Sequence, residues 1–376
     1  MEHYLDNAAT TKVCPEAAQA ALHAMTEVYG NPSSTHTKGR EAKKLLDTSR
    51  KKVADALGCT PGELIFTSCG SESDNWAILK GAEAMRRRGK HIISSRVEHD
   101  AVRKSLDLLE VAGWEVTRLS PDSTGAIPVS AVQEALQNDT VLITLMMVNN
   151  ETGAVTDISE ISRMLKKSGS QALLHTDAVQ AFLKVPFRAK TLGADLISIS
   201  GHKIHAPKGI GALYIRNGLR LNPFLTGGSQ EEGRRAGTEA MPQIAAFAEA
   251  CAIASSHLEE NICHMKALKQ RALELLQKEL PELIALETDA PHILSISMPG
   301  WRSEVLMNFL EAREVYVSKS SACKKGGRSH VLEAIGMRNE AIDGALRIGL
   351  SRFTTEDDIL ALVLGLREAR QTLAHR

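Results

Sequence analysis

Between Leu64 and Tyr214 short apolar runs alternate with segments of helical pattern, and this alternation constrains the fold more than any other feature of the chain. Glu63–Ser68, His91–Ser95, Trp114–Leu119, Val141–Val148, the run ending at Asp177, Leu196–Ile199 and Gly209–Ile215 all have strand length. Helical patterns fall between them at Trp76–Arg88, from Glu98 onward, near Ser130–Leu136 and at Ile158–Lys167. Strand and helix in alternation predict an α/β protein with a mostly parallel, doubly wound sheet. Such sheets bind ligands in the crevice outside the carboxyl ends of their strands. The residues at those ends therefore decide the chemistry.

The flanks read differently. Pro15 opens a helix to about Tyr29, Gly30-Asn31-Pro32-Ser33-Ser34 is a turn, and a second helix covers about Gly39–Leu57. Ala240 to about Leu280 is a long helix with a break, linking two lobes. Strand, helix and strand follow at Ile293–Met298, Ser303–Ala312 and Val315–Val317. The last helix, Thr355–Leu373, opens on the capping box Thr355-Glu356-Asp357-Asp358. The expected organisation is a large domain over 15–250 and a smaller α+β domain made of 1–14 and 251–376.

Composition excludes several classes of function. Lys and Arg together number 45, as do Asp and Glu, so no net field favours nucleic acid or an anionic membrane. No apolar run reaches the 18 or so residues of a membrane span. Met1-Glu2-His3-Tyr4 has neither a basic start nor an apolar stretch after it, so a cytoplasmic location is expected. The six cysteines form no C-x-x-C pair, which leaves zinc and a disulfide framework without support and points to no metal site.

Two strand ends carry chemistry. Leu196-Ile197-Ser198-Ile199 stops at Ser200-Gly201, and His202-Lys203 follow at once. A lysine there is either an ordinary surface residue or a buried amine. A dry site disfavours the ammonium unless it is paired, and the neutral amine is a nucleophile able to form a Schiff base. The run Ala172-Leu173-Leu174-His175-Thr176 ends in Asp177, which is either a helix cap or an anion facing the crevice. Lysine and carboxylate together are the usual setting for pyridoxal phosphate, whose pyridine ring needs an anion at its nitrogen.

The chain resembles cysteine desulfurases of the NifS/IscS type, in the class V aminotransferase family of fold-type I pyridoxal phosphate enzymes. The resemblance runs from Tyr4-Leu5-Asp6-Asn7-Ala8-Ala9-Thr10-Thr11 to Leu346-Arg347. It rests on Asn31-Pro32-Ser33-Ser34, Ser71-Glu72-Ser73-Asp74-Asn75, Val148-Asn149-Asn150-Glu151-Thr152-Gly153, His175-Thr176-Asp177-Ala178-Val179-Gln180 and Gly237-Thr238-Glu239. It implies a pyridoxal 5'-phosphate cofactor on Lys203, with Asp177 at the ring nitrogen and Gly70 and Ser71 in the phosphate cradle before a helix. It also implies that His99 stacks on the ring and moves protons, and that Asn150, Gln180, Ser200, His202 and Thr238 bind the cofactor. Arg347, Asn31 and Asn150 would bind the substrate, L-cysteine. The glycine-rich loop Gly227–Thr238 would reach a second copy's site, so a homodimer is implied.

Val317 to Arg328 is polar and glycine-bearing, hence a loop, and it carries Cys323 among Lys319, Lys324, Lys325 and Arg328. Alone this is an exposed thiol, although neighbouring cations favour the nucleophilic thiolate. The family's Ser-Ala-Cys implies more: attack on the substrate's sulfur, leaving a persulfide for a sulfur-acceptor protein. Iron–sulfur assembly, tRNA thiolation and cofactor biosynthesis all begin with that persulfide. The chain departs from the pattern at Cys69, Ser320, His205-Ala206 and Ala240, and the span from Cys323 to Ser329 is short. Competing readings are another class V activity, such as an aminotransferase or selenocysteine lyase, and a non-catalytic sulfur-relay or regulatory protein.

Overall fold

The computed structural model describes residues 2–319 and 327–374. Its centre is a seven-stranded sheet: β1 (Leu64–Thr67), β2 (His91–Ser95), β3 (Glu115–Leu119), β4 (Thr140–Thr144), β5 (Leu173–Asp177), β6 (Leu196–Ser200) and β7 (Gly211–Ile215). The spatial order is β1-β7-β6-β5-β4-β2-β3. Strands β6, β5, β4, β2 and β3 pair in parallel. β7 runs antiparallel between β6 and β1.

Every position of β1, β2, β4, β5, β6 and β7 is buried. That explains why most of these strands carry adjacent apolar residues, such as Leu64-Ile65-Phe66, Ile92-Ile93 and Val141-Leu142-Ile143, rather than a strict apolar–polar alternation: both faces are covered. The main core includes Leu57, Phe66, Ile143, Leu174, Ile197, Ile199 and Phe247. After helices α1 (Pro15–Thr26) and α2 (Thr37–Leu57), helices α3 (Gly70–Met85) and α4 (Asp100–Val111) cover a second group of side chains, among them Ile78, Ile92, Leu106 and Leu142. Gly211 is required where β7 starts. A Cβ there would lie 2.7 Å from the Ile199 carbonyl oxygen and 2.8 Å from the Cys69 carbonyl carbon, so a side chain would push the β1–α3 turn away from the strand ends.

Leu5 packs in a separate core with Leu276, Leu294, Ile296, Leu346, Ile348, Ile359 and Leu366. It surrounds a four-stranded antiparallel sheet: β10 (Ser318–Lys319), β11 (Ala345–Gly349), β9 (Ile293–Ser297) and β8 (Ile284–Leu286), in that spatial order. The chain's beginning joins this core, because His3–Tyr4 pairs in parallel with Val315–Tyr316.

The break in the long linking helix falls at His257, between Met241–Ser256 and Leu258–Glu279. The final helix, Glu356–Thr372, opens on Thr355 with both capping-box bonds made to Asp358. Two expectations need correction. α3 begins at Gly70, not at Trp76, so Ser71–Asn75 lie in the helix and not in a loop. Val141–Val148 is a sheet strand only to Thr144; beyond it the amides of Leu145 and Met147 still donate to the His175 and Asp177 carbonyls, carrying the chain over the end of β5.

Candidate active site

One cavity of about 360 Å³ opens at the carboxyl ends of the parallel strands. Each strand delivers part of its wall. Cys69–Ser71 follow β1, Glu98 and His99 follow β2, Met146 to Glu151 follow β4, Asp177 to Gln180 follow β5, and Ser200 to Lys203 follow β6. Arg347 enters from β11 of the smaller sheet, so the cavity lies between the two cores. Gly70, Ser71, His99, Asn150, Asp177, Gln180, Ser200, His202, Lys203 and Arg347 are thus brought to one place.

Lys203 closes a single 3-10 turn, Gly201–Lys203, directly after β6. Its Nζ donates to the carbonyls of Ala8 and Ala9, both at 2.7 Å. The N-terminal segment is stitched to the same turn. The Thr11 hydroxyl and amide donate to the His202 carbonyl, and the His205 amide donates to Thr11 Oγ1. Burial, and Lys203 second, hold the His202 imidazole down at about 3, so it is neutral at pH 7.

Asp177 is the last residue of β5 and is buried; it accepts the Val179 amide at 2.9 Å. Burial raises its proton affinity, while His99, the Val179 amide and Lys203 pull the other way. His175 lies two residues earlier, hence on the same face of β5. Its ring joins neighbouring strands, with Nδ1 2.8 Å from Thr144 Oγ1 and Nε2 3.0 Å from Ser198 Oγ. Burial lowers this imidazole to about 3, which makes the row an uncharged cross-brace beneath Asp177. His99 caps α4: its Nδ1 accepts the Ala101 amide at 3.1 Å, which sets the ring's orientation and leaves the proton on Nε2.

Two carboxyl groups on these walls were not singled out by sequence. Asp74, on α3, is 1% exposed, and its Oδ1 makes no hydrogen bond among the described residues. Burial first, and Asp177 second, push its proton affinity well up. Glu98 accepts the Ser95 hydroxyl and the Met146 amide, and burial lifts it to about 8. Asp74 stands inside the Ser71–Asn75 motif and Glu98 at the head of a helical pattern, but neither pattern marks which carboxyl is dry. Asp74 should leave a mark on stability. A carboxyl whose folded value is raised contributes most below the unfolded value of about 3.9 and progressively loses that contribution as pH rises towards the folded one. Each pH unit of that window costs up to about 1.4 kcal/mol. Asp74→Asn is therefore expected to unfold like the parent at pH 4 and at higher temperature than the parent at pH 8, by calorimetry on cofactor-free protein. Parallel curves would show that Asp74 stays ionised.

Arg347 is 2% exposed. Nη1 donates to the Asn150 carbonyl at 2.9 Å, and Nη2 donates to Ser318 Oγ at 2.9 Å and to Asp6 Oδ1 at 3.2 Å. Its Nε is buried with no acceptor among the described residues. The guanidinium is held in place with donor capacity to spare for a carboxylate. Below it Glu151 accepts the Ser329 hydroxyl, and burial raises Glu151 to about 7 against the pull of that bond and of Arg347.

Asn31 and Thr238 are not brought to this cavity. Asn31 is exposed, its Oδ1 taking the Ser33 amide, and Thr238 is exposed on the loop after Gly237. Cys323, with Ser320, Lys324 and Lys325, lies outside the described residues. Arg328 and His330, just beyond that segment, do line the cavity.

The walls can be tested against a phosphorylated pyridoxal ring. α3 starts without a side-chain cap, so its first amides are available to an anion. A Cβ on Gly70 would come within 2.7 Å of Val179 Cγ2, so the glycine keeps that cradle open. Ser200 Oγ is buried beside it with no partner among the described residues. These observations fit a phosphate at that end and an amine and carboxylate at the ring.

Parallel sheet, strand-end lysine and aspartate place the chain in a class, and comparison agrees: it belongs to the aminotransferase class-V family, which it matches over residues 3–362. Enzymes of this family work with pyridoxal phosphate. Within it the chain groups with the cysteine desulfurases of NifS/IscS type. It is 42% identical over 360 residues to the cysteine desulfurase IscS of Methanosarcina thermophila, covering 95% of this chain and 89% of that one. The solved structure of a NifS-like protein superposes with a TM-score of 0.94 at 35% identity, covering 99% of this chain and all of the other. SspA, solved in complex with cysteine, gives a TM-score of 0.82 at 31% identity over 94% of this chain and all of its own. No described helix is long and apolar enough to cross a membrane.

Proposed function

We propose that this cysteine desulfurase binds pyridoxal 5'-phosphate in the strand-end cavity and converts L-cysteine to L-alanine, leaving the sulfur as a persulfide on Cys323. The observation that carries the reading is the convergence of Lys203, Asp177 and Arg347 on one cavity. Lys203 would hold the aldehyde carbon and Asp177 the ring nitrogen. Gly70, Ser71, Ser200 and the first amides of α3 would hold the phosphate, with Thr238 reaching it from a second copy of the chain. Gln180 and His202 steady that wall, Gln180 through its bond to the Ala8 carbonyl at 2.8 Å. When bound, the ring supplies an electron sink for the substrate's α-carbon.

The remaining work falls to side chains. Arg347 takes the substrate carboxylate, with its Nε–H and remaining Nη1–H available and its plane fixed by Asn150, Asp6 and Ser318. Asn31 would join that end only through a rearrangement of its turn or from the second copy. Lys203 would take the α-proton, and His99 would give a proton at the ring from its Nε2–H. The Cys323 thiolate attacks the substrate sulfur. One S–S bond forms, one C–S bond breaks, and the carbon left behind takes a proton. Cysteine plus thiol thus equals alanine plus persulfide, with no outside oxidant or reductant.

The cysteine bound in the SspA structure supports the substrate assignment. A soluble sulfur-acceptor protein would then receive the sulfur, in the cytoplasm if the expected location holds. Product analysis decides between the readings. Alanine and protein-bound sulfur should appear one for one in a single turnover without a reductant. Pyruvate or another keto acid in place of alanine would indicate an aminotransferase. Turnover of selenocysteine but not cysteine would indicate a lyase, and no turnover of either a relay protein.

A further inference from the structure

Two positions after Lys203 the backbone takes a conformation that does not suit its residue. His205 sits at φ of 68°, in the left-handed region that side-chain-bearing residues seldom adopt. It is 6% exposed, so this is not a loose surface turn. Glycine would accept the same backbone without strain, and a strained residue persists where its surroundings hold it for a reason.

The reason lies in what the side chain reaches. His205 Nδ1 is 2.8 Å from the Lys12 carbonyl oxygen. A carbonyl only accepts, so Nδ1 carries the proton. Burial first, against the pull of that carbonyl, lowers the imidazole to about 4, and the ring is neutral at pH 7. The backbone of His205 binds the same N-terminal segment. Its amide donates to Thr11 Oγ1 at 2.8 Å, and its carbonyl accepts the Cys14 amide at 3.0 Å. The ring also meets Phe353 edge to face, with centroids 4.8 Å apart. Phe353 is 55% exposed, so the hydrogen bond to Lys12 weighs more than this packing.

The segment held in this way carries acceptors of the Lys203 amine. The carbonyls of Ala8 and Ala9, just ahead of Thr11 and Lys12, both take Lys203 Nζ at 2.7 Å. An amine with two N–H groups committed to fixed carbonyls has one direction left for its lone pair. Where those carbonyls sit therefore decides where a free Lys203 can attack. We propose that His205 is a positioning residue for Lys203: through Lys12 it fixes the segment whose Ala8 and Ala9 carbonyls aim the amine. His205 itself lines no part of the strand-end cavity. Gln180 Nε2 also donates to the Ala8 carbonyl, so losing the His205 side chain displaces the amine without releasing the segment. The inference rests on Lys203 being the residue that takes the cofactor.

The test compares two forms of the cofactor on the full-length protein stripped of it. Pyridoxal 5'-phosphate can bond to Lys203, whereas pyridoxamine 5'-phosphate has no aldehyde and reads the cavity walls alone. His205→Gly suits the backbone and keeps both main-chain bonds to the segment, but it has no side-chain donor. Attachment at saturating pyridoxal 5'-phosphate, followed by absorbance and by borohydride trapping, should slow by about fivefold or more, the weight of one such hydrogen bond. The Kd of pyridoxamine 5'-phosphate should stay at the parent value. His205→Asn tolerates the same backbone and offers an N–H at the same δ position, so it should restore attachment to near the parent rate. If His205→Gly does not fold, His205→Asp against His205→Asn gives the same comparison, because the aspartate has the shape of asparagine and no N–H to donate. Attachment as fast without the donor as with it, or slowed alongside a matching loss of pyridoxamine 5'-phosphate binding, would overturn the proposal. Failure of the unaltered protein to attach the cofactor at Lys203 is a separate outcome, which would strike the desulfurase reading and this inference with it.

Discussion

Lys203→Ala should lower alanine formation from cysteine by about 10³-fold or more, since in the proposed function one side chain supplies both the covalent attachment and the proton acceptor. The position is built for an amine. It ends a tight turn after a buried strand, and two backbone carbonyls at 2.7 Å hold Nζ at the cavity wall. Alanine removes donors from those carbonyls but leaves the turn's backbone bonds and the Thr11 stitches in place, so the fold should survive. Borohydride treatment and peptide mass mapping give the second readout. The unaltered protein should carry the reduced cofactor on residue 203, and the variant should carry none after dialysis. A retained adduct on Lys184, whose Nζ donates to Gln180 Oε1 behind the cavity wall, would move the attachment point and sink the assignment.

Much of the fold and of the site is legible in the sequence. Strands buried on both faces are rich in apolar residues, and polar residues at or just after their carboxyl ends face the crevice; Asp177 at the end of β5 and Lys203 in the turn after β6 are legible that way. The break at His257 and the Thr355 cap were equally local. What escaped was set by distant partners. Nothing near Asp74 or Glu98 in the chain shows that each would lose its water, because the covering comes from β5, β6 and the segment after β4. Lys184 looks like an ordinary basic residue; only the tertiary fold buries it and sets its amine against Gln180. The ties that orient Arg347 come from residues 6, 150 and 318. The start of α3 was misplaced for a related reason. Gly70 and the serines after it have poor helix propensity, and packing of Ser73, Asp74 and Trp76 against the sheet overrides it.

The second large effect concerns the thiol. Cys323→Ser is expected to suppress alanine and sulfide formation by at least about 10³-fold while the protein still binds its cofactor and L-cysteine. The reason is an electron balance. Removing sulfur from cysteine as a formally neutral atom requires a partner that can form an S–S bond, and a serine oxygen cannot substitute for it. Lys203, Asp177 and Arg347 are untouched by the change, so cofactor absorbance and its perturbation on adding cysteine should match the parent. A pair of titrations, one following the spectrum and one following alanine, separates lost chemistry from lost binding. The competing acceptor within reach of the cavity is Cys69, next to the phosphate cradle. Of the other described cysteines, Cys14, Cys59 and Cys251 are buried, and Cys263 is exposed but lines no part of this cavity. If Cys323→Ser kept more than about a tenth of the activity and the added change Cys69→Ser removed it, sulfur would be leaving through the strand-end turn, and the role assigned to Cys323 would pass to Cys69.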